Sequence, residues 1–215
     1  DQAGLLKLCQ NKKISEIYFH NDLNEPEKLR VFLTAAKQLG ISVQYLFGDQ
    51  VVQGWDADKA CETIRKALAE FEWDGCHLDM EINNISAIDF NPAFEKVLAE
   101  AKSFGKVCVD VEFWRTDPGY WDIVNKADEI VIMAYATDFW SRKRKIQKVL
   151  NRTKIPFKAG FETGDDPAIN DISFWNLGES KMEKEIEKTS QSFRWNKRYQ
   201  GVSIHHWNSY YRLKN

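Results

Sequence analysis

The stretch Trp73-Asp74-Gly75-Cys76-His77-Leu78-Asp79-Met80-Glu81 (WDGCHLDME) decides how the rest of the chain is read. Successive side chains of a strand point to opposite faces. His77, Asp79 and Glu81 therefore share one face, and Cys76, Leu78 and Met80 share the other. An apolar face laid on helices and a polar face turned inward is the signature of a barrel strand whose C-terminal end carries chemistry. Residues i and i+2 are roughly 6.5–7 Å apart at Cα, so the two carboxylates are near neighbours. Like charges at that spacing favour protonation of one of them, which places a proton donor beside an ionised partner.

Working outward, six further β-rich runs flank this one: 15–20, 42–47, 106–112, 129–135, 157–163 and 202–207, with the central strand at 75–81. Helices fit between them. The segment 25–39 stops at Gly40, and 58–71 repeats apolar residues at Cys61, Ile64, Ala67 and Leu68. Asn91-Pro92 reads as the cap and first turn of another helix, and 141–151 and 177–190 complete the series. Strands spaced by helices imply right-handed βαβ units and a parallel sheet. No Gly-rich phosphate loop follows the first strand, which argues against a nucleotide-binding doubly wound fold. The fold class expected is α/β: a TIM-type (β/α)8 barrel in one domain spanning 1–215.

Eight such units usually need about 250 residues, and AGLLKLCQ opens the chain as a helix where a first strand is expected before it. The barrel is then either incomplete or has its first strand outside this chain, which would make the chain a fragment of a longer protein. An open strand edge invites aggregation, so a further domain, segment or chain is expected to cover it.

The same parity applies to the other strands. It turns inward Tyr18 and His20; Cys108, Asp110 and Glu112; Lys158, Gly160 and Glu162; and Ser203, His205 and Trp207. It makes Val131, Met133 and Tyr135 co-facial. Five carboxylates converging on one rim are costly to hold together unless something uses them.

Composition narrows the function classes. The 215 residues are 43% hydrophobic and 29% charged, as expected of a globular chain with a core. Thirty basic against 32 acidic residues give a net charge of -2, no electrostatic footprint for nucleic acid or an anionic membrane. Apolar runs such as IVIMAYA are too short for a transmembrane segment. Cys9, Cys61, Cys76 and Cys108 lie far apart without metal-site spacing and read as buried free thiols. The eight Trp mostly serve packing, with Trp55, Trp114 and Trp140 placed near strand ends where rings can stack on sugar. The basic run Arg142–Lys145 reads as a solvated helix face.

WDGCHLDME resembles the signature of family 18 glycoside hydrolases, the chitinase and endo-N-acetylglucosaminidase superfamily, whose core reads DGxDxDxE on the fourth barrel strand. Ile132-Met133-Ala134-Tyr135 resembles that family's sixth-strand motif, and Trp207 falls where the family places a Trp on its last strand. The resemblance implies a glycosidase of the TIM-barrel type acting on an oligosaccharide or polysaccharide, without cofactor or metal, and secreted or at the cell surface. Residue by residue, it implies Glu81 as general acid and Asp79 as the carboxylate that orients a nucleophilic 2-acetamido group. Tyr135 would hydrogen-bond that group, and Trp207 would floor the sugar subsite.

His77 stands where the family has its first motif Asp, Ala136 where an Asp follows the Tyr, and only Phe47-Gly48-Asp49 lies near the place of a Gly-Gly motif. These departures resemble a set of mostly uncharacterised bacterial barrel proteins with strings like DGIHLDVE, MAYR, GVET and IHH. Here those strings read DGCHLDME, MAYA, GFET and IHH.

Three readings follow. The leading one is a glycoside hydrolase, with His77, Asp110, Glu112, Glu162, His205, Trp207, Tyr18 and His20 lining the substrate. The second is a catalytically silent barrel that only binds carbohydrate or a protein. The third is a metal-dependent hydrolase built on His77, Asp79, Glu112, Glu162 and His205, although no HxH or HExxH motif is present.

Overall fold

The structure, a computed structural model, describes residues 2–20, 25–51, 54–82 and 86–213. The chain divides into two compact units, Asp1–Val109 and Asp110–Asn215. The first holds α1 (Gln2–Lys12), β1 (Glu16–Phe19), α2 (Pro26–Gln38), β2 (Ser42–Val51), α3 (Ala57–Glu70), β3 (Gly75–Ile82) and α4 (Ala87–Lys102), and ends within β4 (Val107–Val111). The second holds α5 (Pro118–Val124), β5 (Glu129–Ile132), α6 (Phe139–Leu150), β6 (Phe157–Glu162), α7 (Glu179–Phe193), β7 (Tyr199–His205) and α8 (Trp207–Arg212).

Strands adjacent in sequence pair in parallel within each unit, and helices alternate with them throughout. This is the α/β pattern of a TIM-type (β/α)8 barrel, with seven strands among the described residues.

Register confirms the parity reading. In the first unit Tyr18 pairs with Gln44, Leu46 with His77, His77 with Cys108, and Gly48 with Asp79. In the second, Gly160 pairs with Ser203 and Glu162 with His205, while Ile132 pairs with Ala159 and Ala159 with Val202 on the opposite face. The apolar faces make the cores. Val43, Cys76 and Leu78 are buried in the first unit with Phe32 of α2, Ile64 of α3 and Val97 of α4. Ile130, Ile132, Phe157, Ala159 and Phe161 are buried in the second with Ile146 of α6 and Met182 of α7. At the strand starts the polar faces are charge-paired. Glu16 accepts from Gln44 Nε2 at 2.6 Å and lies 3.5 Å from Lys106 Nζ, and Lys158 Nζ lies 2.7 Å from Glu129.

Three local expectations are corrected. The helix assigned to Asn91-Pro92 starts earlier, at Ala87. Ser86 caps it by accepting from Asp89 N, and Phe90 is already buried against Phe94, so Pro92 falls inside the helix. The last strand ends at His205, and Trp207 opens α8 instead. The basic run on α6 is not a solvated face. Arg142 is fully buried, its Nη2 donates to Ala136 O, and its guanidinium lies 3.9 Å from the centroid of the Phe161 ring. Lys145 donates to Tyr135 O and lies over Phe113, and Lys143 lies over Phe139 and Trp140.

Arg142 meets Glu185 of α7 at 3.7 Å, both fully buried, and donates to Thr189 Oγ1 at 3.4 Å. Burial pushes its guanidinium down to about 10, so it stays cationic at neutral pH. Burial alone would raise the Glu185 carboxyl, but hydrogen bonds from Lys188 and Lys181 outweigh it and hold the group below its usual value. A carboxyl depressed on folding stabilises above its unfolded pKa, and that stability is lost as pH falls through the folded one. Glu185→Gln leaves a buried cation without its counter-charge and should cost about 3–5 kcal/mol at neutral pH. It should also flatten the acid limb of stability between about pH 5 and pH 3. Urea titrations across that range check both, and an unchanged neutral midpoint would contradict the account.

All four cysteines are buried free thiols. Burial raises the Cys61 thiol and pushes Cys9 up to about 11 and Cys76 up to about 12. Ellman's reagent at about pH 8 should therefore label none of them promptly in the native chain and all of them after unfolding. Prompt labelling of the native protein would count against this packing.

Candidate functional site

In the first unit, β3 carries His77, Asp79 and Glu81 on its polar face, and they differ sharply in setting. His77 is 1% exposed, and its ring stacks on Tyr18 with centroids 3.8 Å apart and an interplanar angle of 22°. Tyr18 in turn donates its hydroxyl to Glu16 Oε2 at 3.0 Å and touches Cys108 Sγ at 3.6 Å. Tyr18 and His77 thus form a packed layer beneath the strand ends. Asp79 lies one step higher and half-buried, and Glu81 is exposed near the end of the strand. The neighbour of Asp79 on β2 is Gly48, which brings no side chain of its own to that carboxylate. His20 is exposed, with Nδ1 3.2 Å from Leu46 O. Trp55 is tethered by its Nε1, which donates to Asp49 Oδ2 at 2.7 Å.

In the second unit, Asp110 is half-buried on β4. Glu112, just beyond it, accepts from Arg115 Nε, a local ion pair that occupies the carboxylate. Tyr135 lies three residues past the end of β5, with Ala134 N bonded back to Ile132 O at 2.6 Å. Its ring rests against Gly160, where a Cβ would come within 3.0 Å of Tyr135 Cε1 and 2.8 Å of Ile132 O.

Glu162, 4% exposed, is held on both oxygens. Oε1 accepts from Thr163 N at 2.8 Å and Gly164 N at 2.6 Å, and Oε2 lies 2.8 Å from His205 Nδ1. A Cβ at Gly164 would lie 3.0 Å from Oε1, so this close approach depends on the missing side chain. The His205 ring is 59% exposed and stacks at 6.4 Å on that of Tyr135. The His205–His206 peptide is cis, and Thr163 Oγ1 donates to His205 O at 2.8 Å while accepting from His206 N at 2.9 Å. Trp207 is half-buried on α8, its ring 6.4 Å from that of Tyr211.

The structure therefore gathers Tyr18 with His77 in one unit and Tyr135, Glu162 and His205 in the other. Glu112, His20 and Trp207 have local partners outside these groups. The sequence reading missed Thr163 and Gly164, which clamp Glu162 through backbone N–H groups. The Gly that follows GFET was the available signal. Among the described residues no three His, Cys, Asp or Glu side chains come close enough together to hold a metal ion.

No known protein-family profile matches the chain, and no curated protein does. Solved structures do. A GH113 β-1,4-mannanase is similar over 100% of this chain and 84% of its own, with a TM-score of 0.65 and 14% identity. The GH18 chitinase ChiB from the chitin utilization locus of Flavobacterium johnsoniae is similar over 84% of this chain and 74% of its own, at 0.59 and 13%. A chitinase from Rhizomucor miehei, RmChi1, is similar over 92% and 85%, at 0.56 and 14%. At these identities the likeness is one of fold, and fold alone does not carry function.

What the two groups offer chemically differs. β3 presents two carboxylates at a strand end, one half-buried and one in solvent. The second unit presents an imidazole steered by a buried carboxylate, beside a phenol. Gly160→Ala should displace the Tyr135 ring and cost about 1–3 kcal/mol. Gly48→Ala, whose added carbon meets nothing closer than 3.8 Å, should stay within about 0.5 kcal/mol of the unaltered chain. Thermal melts with near-UV circular dichroism would check the pair, and equal losses would contradict the proposed ring contact.

Proposed function

We propose that the protein is a glycoside hydrolase-like barrel of family 18 type. In this reading Glu81 is the general acid that protonates the glycosidic oxygen, and Asp79 is its partner carboxylate. Tyr135 completes the catalytic set by hydrogen-bonding the 2-acetamido group, and His77, Asp110, Glu112, Glu162, His205, Trp207, Tyr18 and His20 are assigned to binding the glycan. The observation that carries the reading is the geometry of β3, where Asp79 and Glu81 share one face at the C-terminal end of the strand beside Gly48. The similar mannanase and chitinase folds support it, as does the resemblance of WDGCHLDME to the family signature. The domain reading carries over as part of the proposal: one (β/α) barrel domain over 1–215.

A second reading, a barrel that binds glycan without cleaving it, draws on the setting of two residues. His77, where the family has a carboxylate, is packed under Tyr18, and Glu112 is occupied by Arg115. One experiment separates the two. A panel of 2-acetamido and neutral glycans is incubated with the protein and with Glu81→Gln, and products and binding are both measured. The hydrolase reading expects products that fall about 100-fold or more in the variant. Saturable binding with no products, unchanged in the variant, would replace it with the binding reading.

A further inference from the structure

The Glu162–His205 pair has features that substrate lining alone does not require. A residue that only hydrogen-bonds a sugar has no need of a buried carboxylate behind it. Here Glu162 is 4% exposed, its Oε1 accepts from the Thr163 and Gly164 N–H groups, and its Oε2 lies 2.8 Å from His205 Nδ1. A carboxylate only accepts, so opposite an ionised Glu162 it is Nδ1 that carries the proton of that contact. In the neutral ring that leaves Nε2 with the lone pair. The ring bearing it is 59% exposed, at the end of β7. Thr163 and Gly164 restrain both partners. Gly164 N donates to the carboxylate, the single Thr163 N–H is shared between Glu162 Oε1 and His205 O, and Thr163 Oγ1 also donates to His205 O at 2.8 Å.

We infer that Glu162 and His205 form a proton-transfer dyad, in which Glu162 is the positioning residue and His205 Nε2 the group that takes a proton from a ligand hydroxyl. As the O–H bond of that hydroxyl breaks, its proton bonds to Nε2 and its electron pair stays on oxygen. The imidazolium so formed is stabilised by the Glu162 carboxylate and returns its proton to a ligand oxygen, so that no net charge is left on the ligand. This is the base-and-orienter arrangement that recurs in acid–base sites. The ligand class, a sugar hydroxyl, rests on the glycan reading above, whereas the reactivity of the dyad does not.

The test is carbethoxylation of the full chain with diethyl pyrocarbonate at about pH 8, where imidazoles are neutral, followed residue by residue by peptide mass spectrometry. His206 and His20, both exposed, serve as internal references. His205 should react several-fold faster than either, and Glu162→Gln should bring it to their level while leaving theirs unchanged. A His205 no faster than His206, or one indifferent to Glu162→Gln, would overturn the dyad. If the reference rates also change, the variant is misfolded. The imidazole nitrogen shifts of the unaltered, 15N-histidine-labelled chain then decide: Nδ1 protonated supports the dyad, and Nε2 protonated refutes it. Where a glycan is turned over, His205→Gln should lower kcat by about 100-fold with KM changed far less, and a change confined to KM would reduce His205 to a binding residue. A chain that cleaves no glycan yet shows fast, Glu162-dependent acylation would sink the glycosidase reading and leave the dyad standing.

Discussion

A buried guanidinium organises the second unit. Arg142 reaches Ala136 O in the β5–α6 connection, Glu185 and Thr189 on α7, and the rings of Phe161 and Phe174. Withdrawing a guanidinium from water is expensive, and the expense is offset only while every one of these partners stays in place. Two of them adjoin residues of the candidate site, since Ala136 follows Tyr135 and Phe161 precedes Glu162. Lys145 adds a second tie from the same helix by bonding Tyr135 O. The strand ends are thus held from the outer layer as well as from the sheet.

Each unit separates structural charge from available charge along its strands. At the strand starts, Glu16 accepts from Gln44 and lies 3.5 Å from Lys106, and Glu129 is paired with Lys158 at 2.7 Å. At the strand ends Asp79, Glu81 and His205 are exposed or only half-buried, and the buried Glu162 faces the last of them. The partitioning matches the general rule for such barrels, in which one end serves stability and the other serves chemistry. Gly160 and Gly164 belong to the same logic, because each leaves room for a functional group that another side chain would displace.

All seven strands among the described residues were legible in the sequence because period-two alternation is a local property that pairing merely selects. The co-facial sets His77 with Asp79 and Lys158 with Gly160 and Glu162 follow from it and agree with the register. What was not legible depends on partners distant in sequence. Gly48, Asp49 and Gln50 look like turn residues, yet β2 runs to Val51 because it pairs with β3 as far as Ile82. The basic run on α6 looks solvated until Glu185, some forty positions on, supplies a buried counter-charge. α5 and α8 are too short to show a helical period. Within the candidate site, the clamp on Glu162 is made by backbone N–H groups, for which the only sign in the sequence is the Gly that follows GFET.

The four buried thiols have a consequence for how the fold is maintained. Cys76 and Cys108 stand on neighbouring strands, but Cys76 is in register with Val107 and Cys108 with His77, so their sulfurs leave opposite faces of the sheet. Oxidation has no adjacent pair to join there, and with all four thiols free no disulfide contributes to holding the chain together.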